Sequence, residues 1–211
     1  MSGGSNEPAT RRLSAPGVVL IDAQPGFLRR FGGMATPAEV DERWVKLLVL
    51  CRHLRLPVVA TFEEPASNGW LSEPCEQAWP AHGTRFAKET FDCMAQPDIR
   101  AAVESMGSPQ VLVGGTETDV CVLQSVLSML AAGLQVFLLE DCTVSSEPHT
   151  RPALERMYRA GAIPCTLKSA YYELMKTAAI AYRPVDAAPE WRALVEEFGR
   201  PEELRPWTPA R

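Results

Sequence analysis

Short, unbroken apolar runs separated by segments of helical period constrain this chain more than anything else in it. Gly17-Val18-Val19-Leu20-Ile21-Asp22 has the length of a strand and no polar alternation, and so does Pro57-Val58-Val59-Ala60-Thr61-Phe62. A sheet with one wet face alternates apolar and polar residues, whereas an unbroken run belongs to a strand covered on both faces. Between the two runs, Val40, Trp44, Leu47, Leu48, Cys51 and Leu54 recur at helical spacing. Thr36 is placed to cap this helix and Pro37 occupies its first turn. The rhythm resumes with helix 97–106, a strand from Gln110 to Val113, helix 118–132 and a strand from Leu134 to Leu139. Helix 148–160, a short strand near Ala162 to Leu167 and helix 169–180 follow. Covered strands joined by helices predict an α/β fold: a single domain with a mostly parallel sheet and helices on both faces. This is a three-layer, Rossmann-like arrangement with right-handed crossovers.

The expected organisation is a flexible tail at 1–14, the domain at 15–182 and a Pro-rich C-terminal extension at 183–211. That extension holds Pro184, Pro189, Pro201, Pro206 and Pro209 with Trp191 and Trp207, which suits either a wrap over a surface or neighbouring subunit, or a partly disordered tail. Residues 63–95 break the rhythm and are expected as a long irregular loop, of the kind that carries function or an interface. The 211 residues suffice to bury roughly 70% of the unfolded surface, so folding requires neither disulfide nor metal. The net charge of −5 and the lack of a basic block argue against a nucleic-acid groove. No apolar stretch approaches the roughly 20 residues of a membrane span, and Met1 to Arg12 lacks the apolar core of a signal peptide. A cytoplasmic location is the expectation.

The six cysteines, Cys51, Cys75, Cys93, Cys121, Cys142 and Cys165, include no C-x-x-C pair, which removes the usual zinc and thioredoxin-type readings. Most should be small buried hydrophobes. In a parallel sheet, ligands bind beyond the carboxyl ends of the strands, so those ends are where chemistry should sit. The first strand ends at Asp22, without the glycine fingerprint of a dinucleotide site. A carboxylate there either caps a turn or performs acid–base work. The strand around Val113 runs into Gly114-Gly115-Thr116-Glu117-Thr118-Asp119-Val120-Cys121. With Thr118 as N-cap, Cys121 falls in the first helical turn, where the helix dipole and unpaired N–H groups favour a thiolate and a developing oxyanion. Cys121 is therefore either a nucleophile or a packing residue beside Val122, Leu123 and Val126. Lys88 gains meaning only with a thiol nearby, whose pKa an ammonium would depress.

Taken together, these residues resemble the isochorismatase-like cysteine hydrolases, the family of nicotinamidase and N-carbamoylsarcosine amidohydrolase. The resemblance runs from about Gly17 to about Ala178. Asp22-Ala23-Gln24 matches the family's Asp-x-Gln, Lys88 ahead of Phe91 matches its lysine, and Gly115 to Val122 matches Gly-x-x-Thr-x-x-Cys-Val. Each motif alone is common, but three in order, each at its expected element, are specific. The resemblance implies a catalytic triad of Asp22, Lys88 and Cys121. It also implies a cis peptide between Thr116 and Glu117, and an oxyanion hole from the N–H groups of Glu117 and Cys121. Asp22 would take the thiol proton, Lys88 would hold the thiolate, and Cys121 would form a thioester that water hydrolyses.

Departures from the pattern limit the substrate. Nicotinamidases carry an Asp-x-His metal site just after the second strand, whereas Thr61 to Trp70 contains no histidine. No metal or other cofactor is expected, and the Glu-x-x-x-Asn-Gly element at Glu64 to Gly69 looks more like the metal-free, uncharacterised branches. True isochorismatases cleave a vinyl ether without a cysteine nucleophile, so Cys121 argues against that reaction. Gln24, Phe27 and Trp70 are candidates for the substrate-binding wall, with core packing as the plainer alternative. The reading is a hydrolase of a small amide-like C–N bond acting on a small-molecule substrate, as a homo-oligomer without nucleic-acid or membrane partners. The alternative is a catalytically silent scaffold on the same fold. A Cys–His hydrolase with His82 as base is a third.

Overall fold

The structure is a computed structural model that describes residues 12–30 and 37–176. In chain order it runs β1 (Gly17–Ile21), α1 (Pro25–Leu28), α2 (Pro37–Leu54), β2 (Val58–Glu63), α3 (Pro65–Asn68), α4 (Glu73–Ala78) and β3 (Thr84–Lys88). It continues with α5 (Pro97–Glu104), β4 (Gln110–Thr116), α6 (Leu123–Ala131), β5 (Gln135–Val144), α7 (Arg151–Ala160), β6 (Ile163–Cys165) and α8 (Leu167–Met175). The strands form one six-stranded sheet in the order β3-β2-β1-β4-β5-β6, with every pairing parallel.

The apolar runs do what their lack of alternation requires. Val18 and Leu20 of β1 join a core that also holds Trp44, Leu47 and Leu48 of α2 and Ala170 and Tyr171 of α8. Val19 and Ile21 face the other way, into a core with Ile99 of α5, Val126 of α6 and Met157 of α7. The sheet is thus covered on both faces, and the three-layer α/β/α architecture is as expected. Fully burying one aliphatic side chain is worth about 1.5–3 kcal/mol, so the double-faced β1 is a large part of what holds the layers together.

Strand order decides where a site can form. From β1 the chain moves outward to β2 and β3, then returns to place β4 on the other side of β1. The connections leaving β1 and β4 therefore diverge to opposite faces and open a crevice beyond their carboxyl ends. Gly115 allows the two strands to close there. It pairs with Ile21, its φ is +128°, and a Cβ at that position would lie 1.8 Å from the Ile21 carbonyl oxygen.

Three expectations need correction. Residues 63–95 are not one irregular loop, since they contain α3, α4 and the edge strand β3. Thr84-Arg85-Phe86-Ala87-Lys88 is half exposed, so it lacks the unbroken apolar run that marks the central strands. The helix entered at residue 118 begins with a wider, π-type turn at Thr118–Val122, and the N-cap position falls on Glu117, with no side-chain cap. The end of the expected tail, finally, is packed into the body: Leu13 is buried, its N–H donates to Glu173, and Gln110 holds the backbone of Arg12 and Ser14. The expected tail through residue 11, the cap at Thr36, the end of helix 169–180 and the C-terminal extension lie outside the described residues.

Candidate active site

Asp22 follows β1 directly and is held by its neighbours on both sides. Its N–H donates to the Thr61 carbonyl (3.0 Å) on β2, and its own carbonyl accepts from the Thr116 hydroxyl (2.6 Å) at the end of β4. Its φ of +47° lies in the left-handed region, uncommon for a residue with a side chain. The carboxyl group is fully buried. Oδ1 accepts from the Thr61 hydroxyl at 2.9 Å, while Oδ2 has no hydrogen-bond donor of good angle and faces the Lys88 ammonium at 2.7 Å.

Lys88 is the last residue of β3, in register with Glu63, the last residue of β2. Its long side chain crosses the end of β2 to reach Asp22, so the expectation of a loop lysine is replaced by a strand-anchored one. With its side chain sealed from solvent, Nζ lies 2.7 Å from Asp22, 3.4 Å from Glu63 Oε2 and 3.5 Å from Cys121 Sγ. The Cys121 thiol donates to Glu63 Oε2 at 3.3 Å. The peptide between Thr116 and Glu117 is cis, as the resemblance implied, and Cys121 stands in the helical turn that follows it.

The electrostatics follow from this crowding. Burial pushes the Asp22 carboxyl above its ordinary range, against the downward pull of Lys88 and of the hydroxyl of Thr61. Burial also works against the Lys88 ammonium, but Asp22, Cys121 and Glu63 together hold it above the ordinary lysine value. Cys121 is pushed well up, first by burial and then by Asp22, with Lys88 opposing and Glu63 adding to the rise. This overturns the expectation of a depressed thiol pKa. The dipole and the ammonium are both present, but Cys121 is 2% exposed and two carboxyl groups face it, so the resting sulfur keeps its proton.

Asp22, Glu63 and Cys121 offer three ligand atoms within 4.8 Å of one another, a spacing that could hold a metal ion. Lys88 Nζ already touches all three, so the protein's own ammonium supplies the cation that such a cluster needs.

The remaining expected residues separate. Gln24 is completely buried and its amide is spent on backbone: Nε2 donates to the carbonyls of Glu63 and Gly69, and Oε1 accepts from the Glu63 N–H. It clamps the end of β2, with its amide engaged by the backbone of Glu63 and Gly69. Phe27 is core, with the Arg30 guanidinium 5.4 Å above its ring. Only Trp70, stacked at a tilt on Phe62, offers surface. His82 donates to or accepts from the Leu56 carbonyl (2.9 Å), ahead of β2 at the amino end of the sheet. That is the opposite end from Cys121, which removes the Cys–His reading. Glu63 is the residue that sequence reading missed. Its signal was its place one position beyond an apolar strand, the same place that singles out Asp22.

With this geometry in hand, the model of the isochorismatase domain matches residues 16–169. The chain belongs to the isochorismatase domain family. Among curated relatives it is similar to isochorismatase family protein 1A of Dictyostelium discoideum, at 29% identity over 136 residues, which is 63% of this chain and 66% of that protein. Isochorismatase domain-containing protein 2 of Rattus norvegicus is 32% identical over 64% of this chain and 62% of its own. The chain thus spans just under two thirds of the length of these two relatives. Among solved structures, YcaC from Pseudomonas aeruginosa, with hexane-2,5-diol and covalent acrylamide, matches at TM-score 0.76 and 26% identity, covering 92% of this chain and all of that one.

Proposed function

We propose that this family member is a cysteine hydrolase of a small amide-like C–N bond, with Asp22, Lys88 and Cys121 as its catalytic triad. The observation that carries the proposal is a single buried ammonium contacting both a carboxylate, at 2.7 Å, and a thiol, at 3.5 Å, at the crevice between β1 and β4. A structural cysteine needs neither partner.

The raised affinity of Asp22 for a proton makes it the better base. As Sγ attacks the substrate carbonyl carbon, the thiol proton passes to Asp22, and the Lys88 ammonium balances the negative charge that moves onto sulfur. The carbonyl oxygen takes up the displaced electron pair between the N–H groups of Glu117 and Cys121, at roughly 3 kcal/mol per donor. Collapse of this intermediate breaks the C–N bond, the nitrogen leaves with the proton from Asp22, and water hydrolyses the thioester. The covalent acrylamide in the Pseudomonas YcaC structure supports an electrophile-reactive group in a relative of this fold.

The buried, unpaired state of all six thiols suits a reducing, cytoplasmic setting, and no described helix is long and apolar enough to cross a membrane. A homo-oligomer is part of the proposal. Trp70 and Phe91 are half exposed near the carboxyl ends of β2 and β3, and the YcaC gene product of Escherichia coli, 24% identical at TM-score 0.75, is an octameric hydrolase. The direct test is ammonia release from a panel of small primary amides by the wild type and a Cys121→Ala variant. At least one amide should be turned over by the wild type alone. Equal background from both across the panel would leave the silent scaffold.

A further inference from the structure

Glu63 lies outside the triad yet is built into the site as carefully as its members. Three hydrogen bonds fix its backbone: its N–H donates to Gln24 Oε1 (2.8 Å), and its carbonyl accepts from Gln24 Nε2 (3.1 Å) and Asn68 Nδ2 (2.9 Å). Gln24 and Asn68 are both buried, so the end of β2 is clamped from within. The clamp aims the side chain at the reacting sulfur, with Oε2 3.3 Å from Cys121 Sγ.

Two features separate Glu63 from Asp22. The Asp22 and Lys88 side chains are 0% exposed, whereas that of Glu63 is 24% exposed. Glu63 is therefore the most solvent-exposed of the three charged groups gathered around Cys121. The charge count also matters. Lys88 is paired tightly with Asp22 at 2.7 Å and more loosely with Glu63 at 3.4 Å, and the thiol carries its proton. Two carboxyl groups thus face a single ammonium beside the sulfur.

We infer that Glu63 is the specificity-determining residue of this site: it receives the N–H of an uncharged amide, urea-like or carbamoyl substrate and repels substrates that carry a carboxylate beside the reacting carbonyl. The inference rests on Cys121 being the nucleophile. A carboxylate accepts but cannot donate, so it rewards an N–H and meets a second carboxylate with both Coulomb repulsion and lost solvation.

Two alkylating reagents of nearly equal size separate these effects. In both reactions Cys121 Sγ bonds to the methylene carbon, iodide leaves, and the thiol proton passes to Asp22 and on to solvent. Iodoacetamide is neutral and carries an N–H, while iodoacetate is an anion. The rate at Cys121 is followed by peptide mass spectrometry on the intact protein, and the iodoacetamide-to-iodoacetate ratio is referenced to that of free glutathione. The wild-type ratio should exceed the glutathione ratio by about tenfold or more. Glu63→Gln should bring it back towards the reference, Glu63→Asp should keep most of it, and added salt should lower it in the wild type. A wild-type ratio equal to that of glutathione, or a ratio unchanged in Glu63→Gln, overturns the role of Glu63 while leaving the nucleophile intact. Failure of both reagents to modify Cys121 in the folded protein overturns the nucleophile and this inference together.

Discussion

Lys88 is the residue on which the site turns. It is the fully buried cation between two carboxyl groups and a thiol, and its removal leaves Asp22 buried with no counter-charge. Lys88→Met keeps most of the volume and removes only the charge. It should destabilise the fold by about 3–5 kcal/mol at neutral pH, read from urea unfolding, because an unpaired buried charge costs more than the pair ever contributes. Unchanged stability would mean that the ion pair is incidental. The pH dependence has a definite sign. Lys88 is raised above 10.5 and Cys121 above 9.0, so both hold their protons more tightly folded than unfolded. The stability they give is fully present below those ordinary values and is lost as pH rises through the folded ones. The buried Cys51, Cys75, Cys93 and Cys142 act in the same sense. Unfolding free energy should therefore fall steadily above about pH 9, and a flat or rising profile from pH 9 to 11 would contradict the balance described for the site. That balance could not be read from the sequence. The dipole and the lysine point to a depressed thiol, and burial, joined by Asp22 and Glu63 converging on the same sulfur, reverses the sign.

At the scale of elements, legibility tracked burial. β1, β2 and β4 are covered on both faces, so their sequences are unbroken apolar runs and their positions were readable. β3 is an edge strand whose Thr84, Arg85 and Lys88 answer to solvent and to the site more than to the sheet, and it read as loop. Lys88 was misplaced with it, and Glu63 was missed because the apolar run of β2 stops at Phe62, one residue short of the strand's end. The β1–β4 closure is the element-level feature with the sharpest consequence. Gly115→Ala would drive a Cβ into the Ile21 carbonyl at a φ that a side chain resists. It should cost roughly 3 kcal/mol or more, because backbone faces backbone and nothing can rotate away. Gly133→Ala, also at positive φ but with no atom within 4 Å of the new Cβ, should cost only about 1 kcal/mol in the same denaturation experiment. Equal losses would mean that conformational strain, and not the close approach of the strands, governs Gly115.

At the scale of the whole molecule, strand order links fold to chemistry. The order β3-β2-β1-β4-β5-β6 brings the ends of β1, β2, β3 and β4 side by side, and each contributes one group: Asp22 after β1, Glu63 on β2, Lys88 on β3 and Cys121 after β4. Asp22 and Cys121, 99 positions apart, thus bring ligand atoms within 4.8 Å of each other, which no local pattern in the sequence could show. The central claim is that this meeting makes Cys121 a nucleophile whose proton goes to Asp22. Its most direct test is to treat the folded protein with acrylamide at neutral pH and locate the adduct by peptide mass spectrometry, beside an Asp22→Asn variant. An adduct is expected on Cys121 in preference to the five other thiols, with a rate about a hundredfold lower when Asp22 can no longer accept the proton. Adducts spread evenly over the six cysteines, or a Cys121 rate indifferent to Asp22→Asn, would contradict it.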